Sequence, residues 1–374
     1  MSRFSILVVL VLYLSPTILF FPYYPFQATQ LFAVCLAFFL GVFVKYIFGP
    51  KGKKNVADYS DRFSVNPRTF YLVVLSYFVL NNSSIINLVQ SIISGNYIEF
   101  VVANNVQRYE DPSGNNLGIA SQISLILFLM TGSLAAAARR HKTLIHALLF
   151  CMIVIQSASL ARLSVLFVFV TYIIEIVISR NYLFETQSVG RYLKIAGVIV
   201  PSLLLIYFFS AYMRVVNSDN PIEIAFMKLG SYTIAIYEAL MIWMRDSSDS
   251  YGTTSGSMSF SSLFKLAGIT FPQGFYQLVD TRFGSTNVYT SIRGLLSDFG
   301  LMVTCCFFFI QGYVIRLFAY NPLSGLSYQL TRILLFMLMF TLISPFVYFN
   351  ITLAFILSGL IISGVTIGRF SFSG

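Results

Sequence analysis

Long apolar runs separated by short polar segments dominate the chain. Ten of these runs approach the roughly 20 apolar residues that an α-helix needs to cross a bilayer. They cover residues 4–21, 27–48, 68–90, 117–138, 143–160, 162–179, 195–213, 294–315, 330–346 and 350–368. The pattern predicts an all-α polytopic membrane protein with about ten transmembrane helices, forming a single integral membrane domain over residues 1–374.

The positions of the basic residues predict the orientation of these helices. The first apolar run follows a short basic start and continues without the small-residue pattern of a signal-peptide cleavage site, so we expect a retained anchor. If the N-terminus is cytoplasmic, most lysines and arginines fall in inner segments, including 51–62, 139–142 and 180–194. This agrees with the positive-inside rule and predicts that both termini are cytoplasmic.

One further apolar segment, IEIAFMKLGSYTIAIYEALMIWM (residues 222–244), contains Lys228 and Glu238. Charges at mid-bilayer are costly, and counting this segment as a span would reverse the orientation of every later loop. We therefore predict a helix that lies on or dips into the outer surface. Residues 214–292 then form one external loop, which we expect to fold as a partly helical cap with a mobile middle at residues 245–259.

Composition supports a membrane protein and excludes several other classes. Hydrophobic residues make up 57% of the 374 residues, charged residues 10%, and the mean hydropathy is +0.79. The net charge of +10 is explained by topology, so no nucleic-acid partner is expected. All four cysteines fall in apolar runs, and the outer segments contain neither a histidine nor a phosphate-binding glycine loop. We expect no metal and no cofactor.

Three arginines at the predicted outer edge of the membrane run against the orientation bias. Arg162 opens the sixth apolar run, Arg214 follows the seventh, and Arg293 precedes the eighth. Guanidinium groups stay charged and bind phosphate oxygens in a bidentate geometry, so three of them at one surface favour a lipid-linked phosphate or pyrophosphate. Structural ion pairing is the alternative for each arginine.

Asp298 lies about two turns inside the eighth apolar run. A carboxylate at this depth should face a cavity or pair with a cation, because an unpaired charge there is costly. Ion pairing with an arginine of a neighbouring helix is one interpretation. A general base, with its pKa set by partial burial and nearby arginines, is the other.

The segment TRFGSTNVYTSIRGLLSDFG (residues 281–300) resembles part of a known family. An Asn-x-Tyr-Thr run at Asn287, Tyr289 and Thr290 precedes an Asp-x-Gly at Asp298 and Gly300. The segment is similar to the one that follows the large outer loop of O-antigen polymerases, the Wzy-type polymerases of oligosaccharide repeat units. The layout of many helices with a long outer loop in the second half is similar too. Arg162 departs from the family pattern, because it lacks an adjacent glycine.

The resemblance implies a metal-independent glycosyltransferase in the bacterial inner (cytoplasmic) membrane. Its donor and acceptor would be oligosaccharides on polyprenyl pyrophosphate, and a chain-length regulator protein would be a partner. Arg214 and Arg293 would stabilise the leaving pyrophosphate, and Asp298 would take the hydroxyl proton, with Glu238 or Asp280 as substitutes. The expected substrate-binding residues are Arg108, Arg162, Arg282, Asn287 and Tyr289. Helix capping and interfacial anchoring are alternative roles for Asn287 and Tyr289.

Two other functions stay open. The related O-antigen ligases typically carry a histidine in the outer loop, and residues 214–292 contain none. A flippase or transporter for lipid-linked sugars would carry charges through the depth of the membrane, whereas these apolar runs are almost uncharged below the outer edge. The chain also shows no internal repeat of the kind common in transporters. These features favour a polymerase over a ligase or a flippase.

Overall fold

The structure is a computed structural model that is mostly helical. It describes residues 6, 8–48, 67–100, 119–138, 141–158, 162–179, 197, 201, 204–205, 207–209, 211–212, 215–216, 218–247, 249, 251–259, 279–286, 291–320, 325–340 and 355–362. The described residues fall into two compact units. The first comprises residues 1–56, 182–185 and 230–352, and the second comprises 57–181, 186–229 and 353–374.

The elements follow in chain order. A π-helical turn, Leu10–Leu14, leads into α1 (Ser15–Phe20) and α2 (Pro25–Phe48). The helices α3 (Pro67–Leu80), α4 (Asn82–Ile93), α5 (Ile119–Ala137), α6 (Lys142–Ala158) and α7 (Arg162–Ser179) come next. They are followed by α8 (Pro221–Thr233), α9 (Ala235–Asp246), β1 (Val279–Thr281), β2 (Gly284–Thr286), α10 (Ser291–Tyr320) and α11 (Gly325–Phe340). Residues 355–362 are also helical.

Two glycines allow α2 and α10 to pack closely against each other in the first unit. A Cβ atom added at Gly41 would lie 2.0 Å from the carbonyl oxygen of Phe309, and one at Gly312 would lie 2.3 Å from that of Phe38. Such contacts are impossible for any larger residue without backbone movement, so each helix carries a glycine where the other approaches. Close crossing at small residues is typical of helices packed within membranes.

The second unit contains α3 to α7. Its α5 and α7 also approach closely, since a Cβ at Gly132 would lie 2.9 Å from the carbonyl oxygen of Val168. The polar run at residues 81–84 bends α3 against α4 by 72°. Asn81 at the bend donates from Nδ2 to the carbonyl oxygen of Tyr77 (2.8 Å) and to Oγ of Ser124 (2.7 Å). These bonds satisfy polar groups at the helix break.

Two helices in the described part of the chain are long and apolar enough to cross a membrane, α2 over Pro25–Val44 and α10 over Ile292–Leu317. The bent pair of α3 and α4 counts as a third if it forms one span. The predicted runs 117–138, 143–160 and 162–179 are helical over closely similar bounds, with α7 covering the same residues as predicted. The structure confirms a helical protein with candidate membrane spans, while the arrangement of about ten spans and the single domain stay predictions.

The predicted outer loop contains more packed structure than its sequence suggested. Residues 222–244 form two helices, and α9 is largely buried against other parts of the protein, with Trp243 only 7% exposed. Its position at the outer membrane surface stays a prediction. Within the segment expected to be mobile, residues 251–259 are packed, because both Ser257 and Ser259 there are buried and hydrogen bonds tie the segment to α10. The stretch 260–278 lies outside the described residues.

Candidate functional site

A short hairpin brings a basic side chain against a buried carboxylate of α9. Strands β1 and β2 pair antiparallel, and Arg282 lies in the turn between them. Glu238 is 1% exposed and accepts two hydrogen bonds from Arg282. Its Oε1 accepts from Nε of Arg282 (2.6 Å), and its Oε2 accepts from the backbone N–H of Arg282 (3.0 Å). Tyr24 adds a hydrogen bond from its hydroxyl to Oε1 (3.3 Å). Glu238 therefore fixes both the turn and the direction of the guanidinium group.

Arg282 also rests on an aromatic ring. Its Cζ lies 3.7 Å from the ring centroid of Tyr23 and 5.8 Å from that of Phe20. A guanidinium at this distance from a ring face gains a cation–π interaction of about 0.5–2 kcal/mol, depending on how far it is desolvated. The side chain nevertheless stays 42% exposed. It is thus held in one orientation while part of the side chain remains open to solvent.

These groups form the wall of a cleft of about 500 Å³. Its lining consists of Tyr23, Tyr24, Glu238, Ile242, Arg245, Asp280, Thr281 and Arg282. Asp280 is exposed and accepts a hydrogen bond from Ser285. Arg245 forms an exposed pair with Asp246, with its Nε 2.7 Å from Oδ1. The cleft therefore combines two arginines, an accessible carboxylate and two tyrosines.

The surroundings of the cleft favour the uncharged form of Tyr24 and the charged form of Asp246. Burial, with the negative charge of Glu238 and the hydrogen bond to it, raises the pKa of Tyr24 above its ordinary value. The phenol therefore stays protonated at neutral pH and can donate. The hydrogen bond from Arg245 lowers the pKa of Asp246, which keeps that exposed pair ionised.

Arg293 and Asp298 lie at the start of α10, in a more buried environment. Arg293 is 6% exposed, and its Cζ lies 5.1 Å from the ring centroid of Trp243. Asp298 is 3% exposed and accepts hydrogen bonds from the Thr254 hydroxyl and from two backbone N–H groups. Its described donors are neutral, which differs from the expected pairing with an arginine. The general-base role of Asp298 stays a prediction.

The remaining residues expected from the sequence are outside what the structure describes. This holds for Arg108, Arg214, Asn287 and Tyr289, and for the side chain of Arg162 at the first position of α7. The structure brings Arg282 and Glu238 together, with Asp280 at the same cleft. Sequence reasoning missed the cleft role of Arg245, Tyr23 and Tyr24. Tyr23 and Tyr24 lie between two prolines in the break that separates two apolar runs, and this break was the available signal.

No metal cluster can be assembled from three or more His, Cys, Asp or Glu side chains among the residues described. Comparison with protein families, curated proteins and solved structures finds no match to this chain.

Proposed function

We propose that this protein is a glycosyltransferase that polymerises lipid-linked oligosaccharide repeat units into O-antigen or a similar surface polysaccharide. It would work on the outer face of the bacterial cytoplasmic membrane, with polyprenyl pyrophosphate as the carrier. The observation that carries the proposal is the charged cleft around Arg282, which adjoins an exposed apolar surface. The resemblance of residues 281–300 to O-antigen polymerases supports it from the sequence.

The apolar surface begins in the chain segment that supplies Tyr23 and Tyr24 to the cleft. Leu19, Phe21 and Phe26 are 53%, 52% and 65% exposed. Large apolar side chains that stay exposed in a row mark a surface for lipid or for another apolar partner. A substrate with a hydrocarbon tail and an anionic sugar headgroup needs an apolar surface and a charged cleft side by side.

The two arginines of the cleft suit the pyrophosphate of the donor. Arg282 is preorganised by Glu238 and Tyr23, and its Nη donors match the spacing of phosphate oxygens. Arg245 adds a second cation to the same cleft. Cations fixed before the reaction stabilise charge that develops on the leaving group without a cost of reorganisation.

The reaction transfers the donor oligosaccharide from its pyrophosphate to a hydroxyl group of the acceptor. The acceptor hydroxyl oxygen forms a bond to the anomeric carbon of the donor, and the bond from that carbon to the pyrophosphate oxygen breaks. The electron pair leaves with polyprenyl pyrophosphate, and the hydroxyl proton passes to a carboxylate. Asp280 is the best placed described carboxylate for this step because it is exposed at the cleft. Arg293 packs its guanidinium against Trp243, and Arg293 and Arg214 both keep their proposed role in pyrophosphate binding.

The test uses purified protein in lipid vesicles with polyprenyl-pyrophosphate repeat units, and the product is the length of the sugar chain. We expect Arg245→Ala and the double variant Glu238→Gln/Arg282→Ala to lose polymer growth. The double variant is preferable to Arg282→Ala because it leaves no buried charge. Arg68→Ala, at an exposed arginine of α3, is the matched control and should polymerise normally.

Each alternative gives a different product. Transfer of chains to a lipid A core indicates a ligase, and movement of lipid-linked units between leaflets without a new bond indicates a transporter. Normal chain lengths in both cleft variants would exclude this cleft as the site of polymerisation.

A further inference from the structure

A loop of nine residues, 251–259, follows α9 and is bound along the first turns of α10. The backbone N–H of Gly252 donates to the carbonyl oxygen of Leu296 (3.1 Å), and that of Thr254 donates to the carbonyl oxygen of Ser297 (3.2 Å). A Cβ atom at Gly294 would lie 3.3 Å from Oγ of Ser259. The loop therefore lies directly against the helix surface.

Asp298 on α10 binds the same loop through its carboxylate. Its Oδ1 accepts from the hydroxyl of Thr254 (2.6 Å) and from the backbone N–H of Met258 (2.9 Å). Its Oδ2 accepts from the backbone N–H of Ser259 (2.5 Å). Hydrogen bonds to a carboxylate are stronger than those between neutral groups, and backbone donors in a buried loop need acceptors. Asp298 thus supplies the acceptors that hold both ends of the Thr254–Ser259 turn.

An aromatic pair connects the 251–259 loop to α9, the helix that lines the cleft. The ring of Tyr251 stacks on Trp243 with centroids 5.6 Å apart and an interplanar angle of 21°. Its hydroxyl donates to Oε1 of Gln30 on α2 (3.2 Å). Trp243 follows Ile242 on α9, and this same helix carries Glu238 and Arg245 into the cleft. A change in the loop therefore reaches the cleft through α9.

We infer that Asp298 is a positioning residue for the cleft and does not take the hydroxyl proton. It holds the 251–259 loop, which holds Tyr251 on Trp243 and so fixes the rotation of α9, whose other side presents Glu238 and Arg245 to the cleft. This inference rests on the proposed function of the cleft. It also gives the Asp-x-Gly of the sequence a physical role, with Asp298 as the acceptor for the loop and Gly300 as the point where α10 breaks at φ 72° and ψ 177°.

Thr254 offers a variant that separates positioning from proton transfer. Thr254→Val keeps the shape of the side chain but removes one of the three donors to Asp298, whereas Thr254→Ser keeps the hydroxyl. By hydrogen exchange, we expect the amides of the 251–259 loop to exchange about tenfold faster in Thr254→Val and in Asp298→Asn. Thr254→Ser should exchange as the unaltered protein does. Unchanged exchange in Thr254→Val would show that Asp298 does not hold the loop.

Trp243 gives a second measurement, because it is the single tryptophan of the chain. Loosening of the loop should shift its fluorescence emission and increase its quenching by acrylamide in Thr254→Val and Asp298→Asn, with recovery in Thr254→Ser. Neither this signal nor hydrogen exchange depends on the activity of the protein. Failure of the inference is therefore distinguishable from failure of the proposed function.

The kinetic outcome separates the two roles of the carboxylate. A positioning role predicts that kcat/KM for polymerisation falls about tenfold in Thr254→Val and recovers in Thr254→Ser, since small misplacements of binding groups lower rates strongly. A general base predicts the opposite pattern, in which Asp298→Asn abolishes kcat without a fluorescence change and Thr254→Val retains full activity. That pattern would overturn the inference.

Discussion

Glu238 and Asp298 are two buried carboxylates that differ in the charge of their donors. They lie on α9 and α10, are 1% and 3% exposed, and each accepts three hydrogen bonds from residues that the structure describes. Glu238 accepts one hydrogen bond from the charged guanidinium of Arg282, which also lines the cleft, and a second from the backbone N–H of that residue. Asp298 receives hydrogen bonds from a hydroxyl and from two backbone N–H groups. Equal burial therefore produces two different electrostatic settings.

The difference indicates which carboxylate belongs to a binding site. Neutral donors satisfy a carboxylate but offer nothing to a second anion, so the setting of Asp298 is suited to anchoring a loop. Arg282 carries a full charge and more donors than Glu238 uses, so it can hold a second anion without leaving the first. A buried carboxylate with a partly exposed cation marks the ligand site, and one with neutral donors marks the scaffold.

The largest effect is expected from removing the cation. Arg282→Ala leaves Glu238 buried with only neutral described donors, the Tyr24 hydroxyl and the backbone N–H of residue 282. An uncompensated buried charge costs about 3–5 kcal/mol, and we expect the lower end, about 3 kcal/mol, because Arg282 is partly exposed. The measurement is the free energy of unfolding in detergent, followed by circular dichroism in denaturant.

The control for this prediction is the double variant Glu238→Gln/Arg282→Ala. It removes the buried charge together with its partner and should recover most of the lost stability, because a neutral amide needs no counter-ion. If the double variant is as unstable as Arg282→Ala, the loss comes from the missing contact with Tyr23 and not from the charge of Glu238.

Asp298→Asn should lower the free energy of unfolding by less, about 2 kcal/mol. The amide keeps one oxygen acceptor but turns an N–H toward a donor of the loop. Glu238→Gln is the matched variant and should cost about 1 kcal/mol, since Arg282 can turn to solvent while backbone N–H groups of the loop cannot. Both are measured by denaturant unfolding. A larger cost for Glu238→Gln than for Asp298→Asn would reverse the assignment of scaffold and ligand site.

A third variant should disturb one carboxylate and spare the other. Gly300 has φ 72° and ψ 177°, a conformation that side chains with a Cβ rarely adopt, and it lies two residues after Asp298. Gly300→Ala should cost about 1–2 kcal/mol and speed hydrogen exchange in the 251–259 loop but not at the turn of Arg282. Met302→Ala, at a position 81% exposed, is the control and should change stability by less than about 0.5 kcal/mol.

Much of the helical framework could be predicted from hydrophobic runs alone. Residues 162–179 form a helix over the predicted bounds. The bend at Asn81 was missed, although the polar run at 81–84 signalled it. The burial of α9 could not be predicted, because an amphipathic pattern is the same for a helix at a lipid surface and for one packed against protein.

The site was less predictable than the fold for two physical reasons. Glu238 and Arg282 are 44 residues apart in sequence, and nothing in the composition pairs them before the hairpin is folded. Asp298 was expected to pair with an arginine, but two of its donors are backbone N–H groups. Every non-proline residue carries such a group, so the sequence of side chains does not indicate which ones donate to Asp298. The position of Asp298 inside an apolar helix predicted that its carboxylate has hydrogen-bond or ionic partners. It did not predict which residues these partners are.

Salt should produce the smallest effect and the sharpest contrast between the two carboxylates. At about 1 M salt the Debye length falls to roughly 3 Å, so an exposed cation is screened while neutral hydrogen bonds are not. Two double-mutant cycles measure this, one for Glu238→Gln with Arg282→Ala and one for Asp298→Asn with Thr254→Val, each at low and high salt. We expect the first coupling energy to fall by up to about 0.5 kcal/mol and the second to stay constant, because only Arg282 exposes its charge to solvent. An equal fall in both would mean that a cation contributes to the environment of Asp298, and the separation of anchor from ligand site would then fail.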